Sequence, residues 1–297
     1  MTAEMRQQAL LKAMPWVFVV IWSTGFIVAR YGMPHAPPMK FLVMRYALSA
    51  VCFLLWIVLA RVAWPRDRAQ WLHLAVVGVL MHGGYLGGVW TAVKSGMGSG
   101  LSALIVGLQP VLTGVWLAAT GGRVTGRQWM GLALGFAGLV LVVSSKFGHG
   151  GEANWLNVGF AVGALLSITV GTLYQKRFVA PCDVRTANAV QLGAALLVSL
   201  PFALAEQEGM RWQPELVGAL AWSVGALTLG GSSLLYLLIQ RGAATSVTSL
   251  LYLVPPTTAA FAWVLFGEPI TAAMLVGTAV TVMGVRLVVY SPPGVKR

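Results

Sequence analysis

The chain has 297 residues, 58% hydrophobic and 9% charged, with a formal net charge of +12. A soluble domain carries about 25% charged residues, so this composition excludes one and places the chain in a membrane. The basic residues are scattered singly between apolar runs and form no stripe, which speaks against a nucleic-acid partner and for a role in topology.

A helix needs about 20 apolar residues to cross the hydrocarbon. Breaking the chain at charges and at Pro/Gly clusters predicts ten spans, at 14–32, 39–60, 70–92, 96–119, 127–145, 155–175, 185–205, 215–238, 243–265 and 270–290. The leading MTAEMRQQALLKAM has no signal-peptide cleavage site. The first span carries Trp22, Ser23 and Thr24 at mid-depth. The second has Arg45 about six residues in, near its edge, where snorkelling is expected. The third contains MHGGYLGGVW at 81–90 and the fourth Gln109 and Pro110. Ser167 and Thr169 lie midway in the sixth, and Tyr252, Pro255 and Pro256 in the ninth. No run alternates as a barrel strand would. The expected fold class is all-α and integral to the membrane, with no separate soluble domain.

Of the 20 Lys and Arg residues, Arg30, Lys40, Arg45, Lys94, Lys146 and Arg211 fall outside when the N-terminus is placed inside; the other 14 fall inside. Both termini are therefore expected in the cytoplasm. Cys52, within a span, and Cys182, in a short loop, give no disulfide framework and no metal spacing.

Shifting the sequence by 146 residues aligns it with itself. Gly96 meets Gly242, Leu104 meets Leu250, Pro110 meets Pro256, Gly121 meets Gly267 and Thr125 meets Thr271. Further on, Gly131 meets Gly277 and Gly138 meets Gly284. The chain thus divides into 1–147 and 148–297, each with five spans. Because five is odd, the second half enters the membrane from the opposite side. Inverted-topology repeats of this kind are the architecture of secondary transporters.

On a helical wheel, His82 and Tyr85 fall on one face of the third span and Gly83, Gly84, Gly87 and Gly88 on the other, at about 100° per residue. Small residues four apart let a neighbouring helix approach closely. The glycine face is expected to pack and the histidine face to line something wet; the alternative is a histidine bonded to a neighbouring helix. Intramembrane ionisable residues lean toward function. A proline frees the carbonyl four residues earlier, here those of Val106, Leu251 and Tyr252. Pro110, Pro255 and Pro256 are therefore candidate hinge or kink residues at matching places in the two halves.

No Asp or Glu lies in the middle of any span, so proton coupling would have to use His82, whose ordinary pKa is near 6.5. Uncoupled or exchange transport is expected. Enzyme chemistry is not: there are no paired carboxylates and no metal-spaced histidines, and Ser99 in GMGSG has no evident base partner. No cofactor or metal is expected.

Together, Trp22-Ser-Thr-Gly, Phe41-LVMR45, Phe266-GEP269, the Gly277…Gly284 spacing and the 5+5 repeat resemble the drug/metabolite transporter superfamily in its EamA-type branch. More closely, they are similar to the bacterial YddG-type exporters of aromatic and other amino acids. The resemblance covers essentially the whole chain. It implies a central cavity lined by spans 1, 3, 4, 6, 8 and 9, and export by alternating access. It places Trp22, His82, Tyr85, Ser167 and Tyr252 at that cavity. Thr24 and Gln109, at similar depth, complete the candidate substrate-binding set. Glu268 matches the family's loop glutamate, and its position suggests that it caps span ten. The function expected is export of amino acids and related small metabolites across the inner membrane by a monomer, with the lipid bilayer and the substrate as partners. Export of drugs or sugar derivatives, with proton coupling, is the alternative within the same fold; a non-transporting sensor or scaffold ranks last.

Overall fold

The computed structural model describes residues 3–120, 125–146, 152–235 and 253–289. Every extended element among them is a helix. In chain order these are α1 (Ala3–Gly32), α2 (Pro38–Leu59), α3 (Arg68–Lys94) and α4, which runs Ser99–Val106 and resumes as Gln109–Ala119. They continue with α5 (Gly126–Lys146), α6 (Trp155–Phe178), α7 (Val184–Ala205), α8 (Pro214–Leu235), α9 (Val254–Phe266) and α10 (Ala272–Val289). Seven of the helices are long and apolar enough to cross a membrane, and three shorter apolar ones accompany them. The predicted span 243–265 lies outside the described residues up to 252; from there on it matches α9.

The helix starts follow from local chemistry. Asp67 and Asp183 accept the backbone N–H two residues on, at the heads of α3 and α7, and Asn154 and Asn157 form a reciprocal capping box on α6. The repeat mates Thr125 and Thr271 do the same work on α5 and α10: each hydroxyl accepts the N–H three residues later, from Gln128 and Met274. Gly267 ends α9 in the left-handed conformation, φ +65°, which a side chain would disfavour.

Large apolar side chains cover the outside of the bundle. Leu54, Leu55, Val58 and Leu59 on α2 and Val264 on α9 are exposed, as suits a surface solvated by lipid tails. Trp155, 84% exposed, begins α6, and Trp212 sits just before α8; indole rings at helix ends fit the membrane–water interface.

Inside, helices pair across the two halves. The most extensive packing joins α5 to α10 and α2 to α7, while α4 lies on α9. On α5 and α10, Gly138 faces Gly277 and Gly284 faces Gly131 and Gly135, so the two helices run antiparallel. A Cβ on Gly138 would lie 2.5 Å from the Gly277 carbonyl, and one on Gly284 2.6 Å from that of Gly131. The two contacts are each other's mates under the 146-residue shift. α4 breaks at Gly107 and Leu108, immediately before Pro110, while Pro255 and Pro256 sit in the first turn of α9. The two places touch: a Cβ on Gly107 would lie 2.8 Å from Pro255 Cγ.

The ends of the bundle differ in charge. One end, called acidic here, collects Glu152, Glu206, Glu208, Glu215 and Glu268, and ties the halves together. Arg30 at the foot of α1 meets Glu268 at 2.6 Å, and Lys94 meets Glu208 at 2.8 Å. Glu206 accepts from the backbone N–H groups of Met39 and Lys40 at the head of α2, and Arg211 donates to the carbonyls of Pro34 and His35 through its side chain and backbone. Lys146 pairs with Glu152. The opposite, basic end is joined across the halves by hydrogen bonds: Gln70 with the Ala180 backbone, and His73 with Tyr174. Glu268 departs from expectation. Thr271 caps α10, and the Glu268 carboxylate instead reaches Arg30 and accepts from the backbone N–H of Ser99 at the head of α4, 3.1 Å away.

The Lys94 ammonium donates to Glu208 and holds that carboxyl below its ordinary value of 4.5. A depressed carboxylate contributes stability above its unfolded value and loses it as pH falls through the folded one. The melting temperature of the detergent-solubilised protein should therefore drop as pH is lowered below about 4.5, with Glu208→Gln removing part of that slope. The effect should be small, since exposed pairs contribute about 0.2–1 kcal/mol.

Candidate substrate cavity

The third span is not a uniform α-helix. Over Val79–Gly84 it widens to i→i+5 bonding, and Tyr85 N–H bonds back to the Leu80 carbonyl. The eighth widens likewise over Ser223–Ser232. Shifted by 146, the first stretch falls inside the second, and His82 corresponds to Thr228. Such π-turns are rare and concentrate at functional sites. α2 braces both. Tyr46 Oη donates to the His82 carbonyl at 2.7 Å, and Arg45 Nε donates to Thr228 Oγ1 at 3.1 Å. Thr228 in turn donates to the Ser223 carbonyl, five residues back.

The glycines of 83–88 are explained by what lies behind them. A Cβ on Gly84 would collide with Ser167, and one on Gly88 would lie 2.7 Å from the Phe160 carbonyl. Gly87 admits Met39 of α2. α6 thus presses backbone-close on α3, and Ser167 Oγ donates to the Leu80 carbonyl inside the widened turn.

On the other face of α3 a cavity opens, with a volume of about 780 Å³ including its mouth. Trp22, Gly25 and Phe26 of α1 line it, as do Arg45 of α2 and Met81, His82, Tyr85, Leu86, Val89 and Trp90 of α3. Gln175 of α6, Asn188 and Gln191 of α7, and Leu227, Ser232 and Leu235 of α8 complete the wall. The Gln191 amide stands beside the His82 ring. Trp90, on the acidic side of this wall, stacks on Phe41 at 4.4 Å; both are buried. The cavity's amides and Ser232 gather towards the basic end.

Of the residues singled out from sequence, Trp22, His82 and Tyr85 come together on this wall. Thr24 does not join them: its hydroxyl donates to Ile21 O and accepts from Trp222 Nε1. Gln109 donates to Thr172 Oγ1, and Ser167 serves the α3–α6 contact. Tyr252 lies outside the described residues. Among the described residues α4 contributes nothing to the wall, because it is engaged with α9, while α2 and α7 take part. Arg45 is not a snorkelling surface residue; it is 4% exposed and turned inward. The sequence signal for it was an arginine within the span of highest mean hydropathy, 2.2. Among the described residues no three His, Cys, Asp or Glu side chains gather as a metal site.

The sequence matches the model of the EamA-like transporter family twice, over residues 13–144 and 155–290. It is 27% identical to the protein of Bacillus subtilis (strain 168) described as "Uncharacterized transporter YvbV", over 91% of this chain and 88% of that one. It is also 27% identical to the "Uncharacterized inner membrane transporter YedA" of Escherichia coli (strain K12), over 91% and 87%. A "Probable amino-acid metabolite efflux pump" of Salmonella typhimurium is 23% identical over 92% of each chain. A solved crystal structure shares the fold with a TM-score of 0.66 at 17% identity, covering 93% of this chain and 95% of that one.

Proposed function

We propose, from the premise that this chain belongs to the EamA-like transporter family, that it is a secondary transporter exporting aromatic and other apolar amino acids and related small metabolites across the inner membrane. Its two five-span halves are inverted repeats that rock about the central cavity, and both termini face the cytoplasm. The observation that carries the reading is the cavity wall itself. Trp22, Tyr85 and Trp90 offer aromatic faces beside a small set of polar groups, between two π-turns at matching places in the halves. Aromatic rings held this way favour aromatic or apolar side chains, by about 0.5–1.5 kcal/mol per well-placed ring pair.

The inverted repeat is supported by the mated contacts of α5 with α10 and by the double match to the family model. Export of amino-acid metabolites is supported by the relative so described. With no carboxylate in the middle of any span, uncoupled or exchange transport fits better than proton antiport. The acidic end then faces outward: its basic residues are largely paired with acids, whereas the excess of Arg and Lys gathers at the other end, as cytoplasmic loops require.

Purified protein in liposomes preloaded with unlabelled phenylalanine should accumulate labelled phenylalanine by counterflow, with or without a pH gradient. Trp22→Leu should cut phenylalanine flux roughly two- to tenfold and spare alanine. Flux that strictly requires a proton gradient would replace exchange with coupling through His82. Equal loss for both amino acids would remove Trp22 from the recognition of side chains.

A further inference from the structure

Arg45 poses a question that transport alone does not answer. It is 4% exposed, lies within the hydrophobic span α2 and borders the cavity. A guanidinium carries five N–H donors and stays ionised. Nε is used on Thr228, whose hydroxyl is a neutral partner; the terminal nitrogens have no acceptor among the described residues. Among the described residues no acid pairs with it either. The eight Asp and Glu residues are Glu4, Asp67, Glu152, Asp183, Glu206, Glu208, Glu215 and Glu268, and all lie towards helix ends. A buried, unpaired cation is costly, and an intramembrane one marks a ligand or ion path. The fork of a guanidinium matches a carboxylate in two parallel hydrogen bonds.

Among the described residues the rest of the wall is neutral amide, hydroxyl, aromatic and aliphatic, apart from His82, whose protonation could only add positive charge. An ammonium group entering here would meet a cation and, among the described residues, no counter-charge.

We infer that the cavity takes an organic monocarboxylate, its carboxylate held by Arg45 and its apolar or aromatic body against Trp22 and Tyr85, and that it prefers acids whose α-amino group is absent or acylated over zwitterions. This narrows the substrate class of the transporter proposed above and rests on that reading. By chemistry, the class is that of 2-oxo acids and N-acyl amino acids: what remains of an amino acid once its amine has been removed or capped.

Binding to the purified wild-type protein, followed by quenching of intrinsic tryptophan fluorescence, tests this without needing a variant to fold. Phenylpyruvate and N-acetylphenylalanine should bind more tightly than phenylalanine, and phenethylamine, which lacks the carboxylate, should not bind. Arg45→Gln should weaken phenylpyruvate at least tenfold, and Arg45→Lys less so. Phenethylamine binding as well as phenylalanine overturns the inference, as does phenylalanine outbinding both amine-free acids, or Arg45→Gln leaving phenylpyruvate unchanged. Counterflow separates the two readings. Amino-acid flux indifferent to Arg45 defeats this inference and leaves the transporter standing. Carboxylate binding at Arg45 without flux of any compound defeats the transporter and leaves the site.

Discussion

Gly138→Val should remove the folded protein from detergent extracts, while Gly163→Ala, one helix away, should leave it intact. The difference is space. At Gly138 a Cβ would lie 2.5 Å from both the Gly277 carbonyl and Thr281 Oγ1, and 2.8 Å from Thr281 N. Two of these are backbone atoms of α10, which cannot turn aside as a side chain tip can. The helices would have to separate along the seam where the halves meet, at or above the roughly 3 kcal/mol upper end of ordinary overpacking. At Gly163 no atom of the described residues lies within 4 Å, so alanine adds helix propensity at no steric cost, about 0.5–1 kcal/mol. Size-exclusion profiles and melting temperatures of the two variants measure the contrast. Because Gly284 occupies the mated position, Gly284→Val should fail in the same way.

Glu268→Ala should be the most disruptive single change at the acidic end. Its carboxylate joins three elements: Arg30 of α1 at 2.6 Å, the Ser99 N–H at the head of α4, and its own place between α9 and α10. Removing it leaves Arg30 over the Phe266 ring without its anion, and exposes the positive end of the α4 dipole. Breaking a fully buried pair costs about 3–5 kcal/mol; with the Arg30 side chain 36% exposed, solvent screening reduces this to about 1–3 kcal/mol. If the halves rock as proposed, this bridge holds the acidic end shut. Glu268→Gln, which keeps the shape and loses the charge, should then raise the reactivity of cavity positions towards reagents from that side. A melting temperature unchanged in Glu268→Ala would show that the bridge carries no weight.

What could be read from the sequence, and what could not, follows the range of the interactions. Helix existence rests on run length and caps, which are local, and the described helices lie close to the apolar runs that hydropathy marks. The self-match at a shift of 146 stands out in the sequence because its identities fall on Gly131, Gly138, Gly277 and Gly284, the residues whose missing side chains let α5 and α10 touch. His82 and Tyr85 could be separated from the glycine face because a helical period sorts them. Arg45 could not be placed, because depth in a span does not say whether an arginine turns to lipid headgroups or inward. Its direction is set by Thr228, 183 positions away. Glu268 was misplaced for the same reason: its partners lie on α1 and α4, while a nearby threonine does the capping. Nor does local pattern reveal that α3 and α8 widen into π-turns. Glycine pairs permit that geometry without demanding it.

The central claim is that one cavity is exposed alternately to the two sides of the membrane. Gly25→Cys is a suitable reporter: it lines the cavity, and among the described residues a Cβ there meets only Leu227, at 3.6 Å. In a background with Cys52 and Cys182 replaced by alanine, a membrane-impermeant maleimide should label it from either face, and a transported substrate should change the two rates. Labelling from one face only, at a rate no substrate alters, would contradict the account.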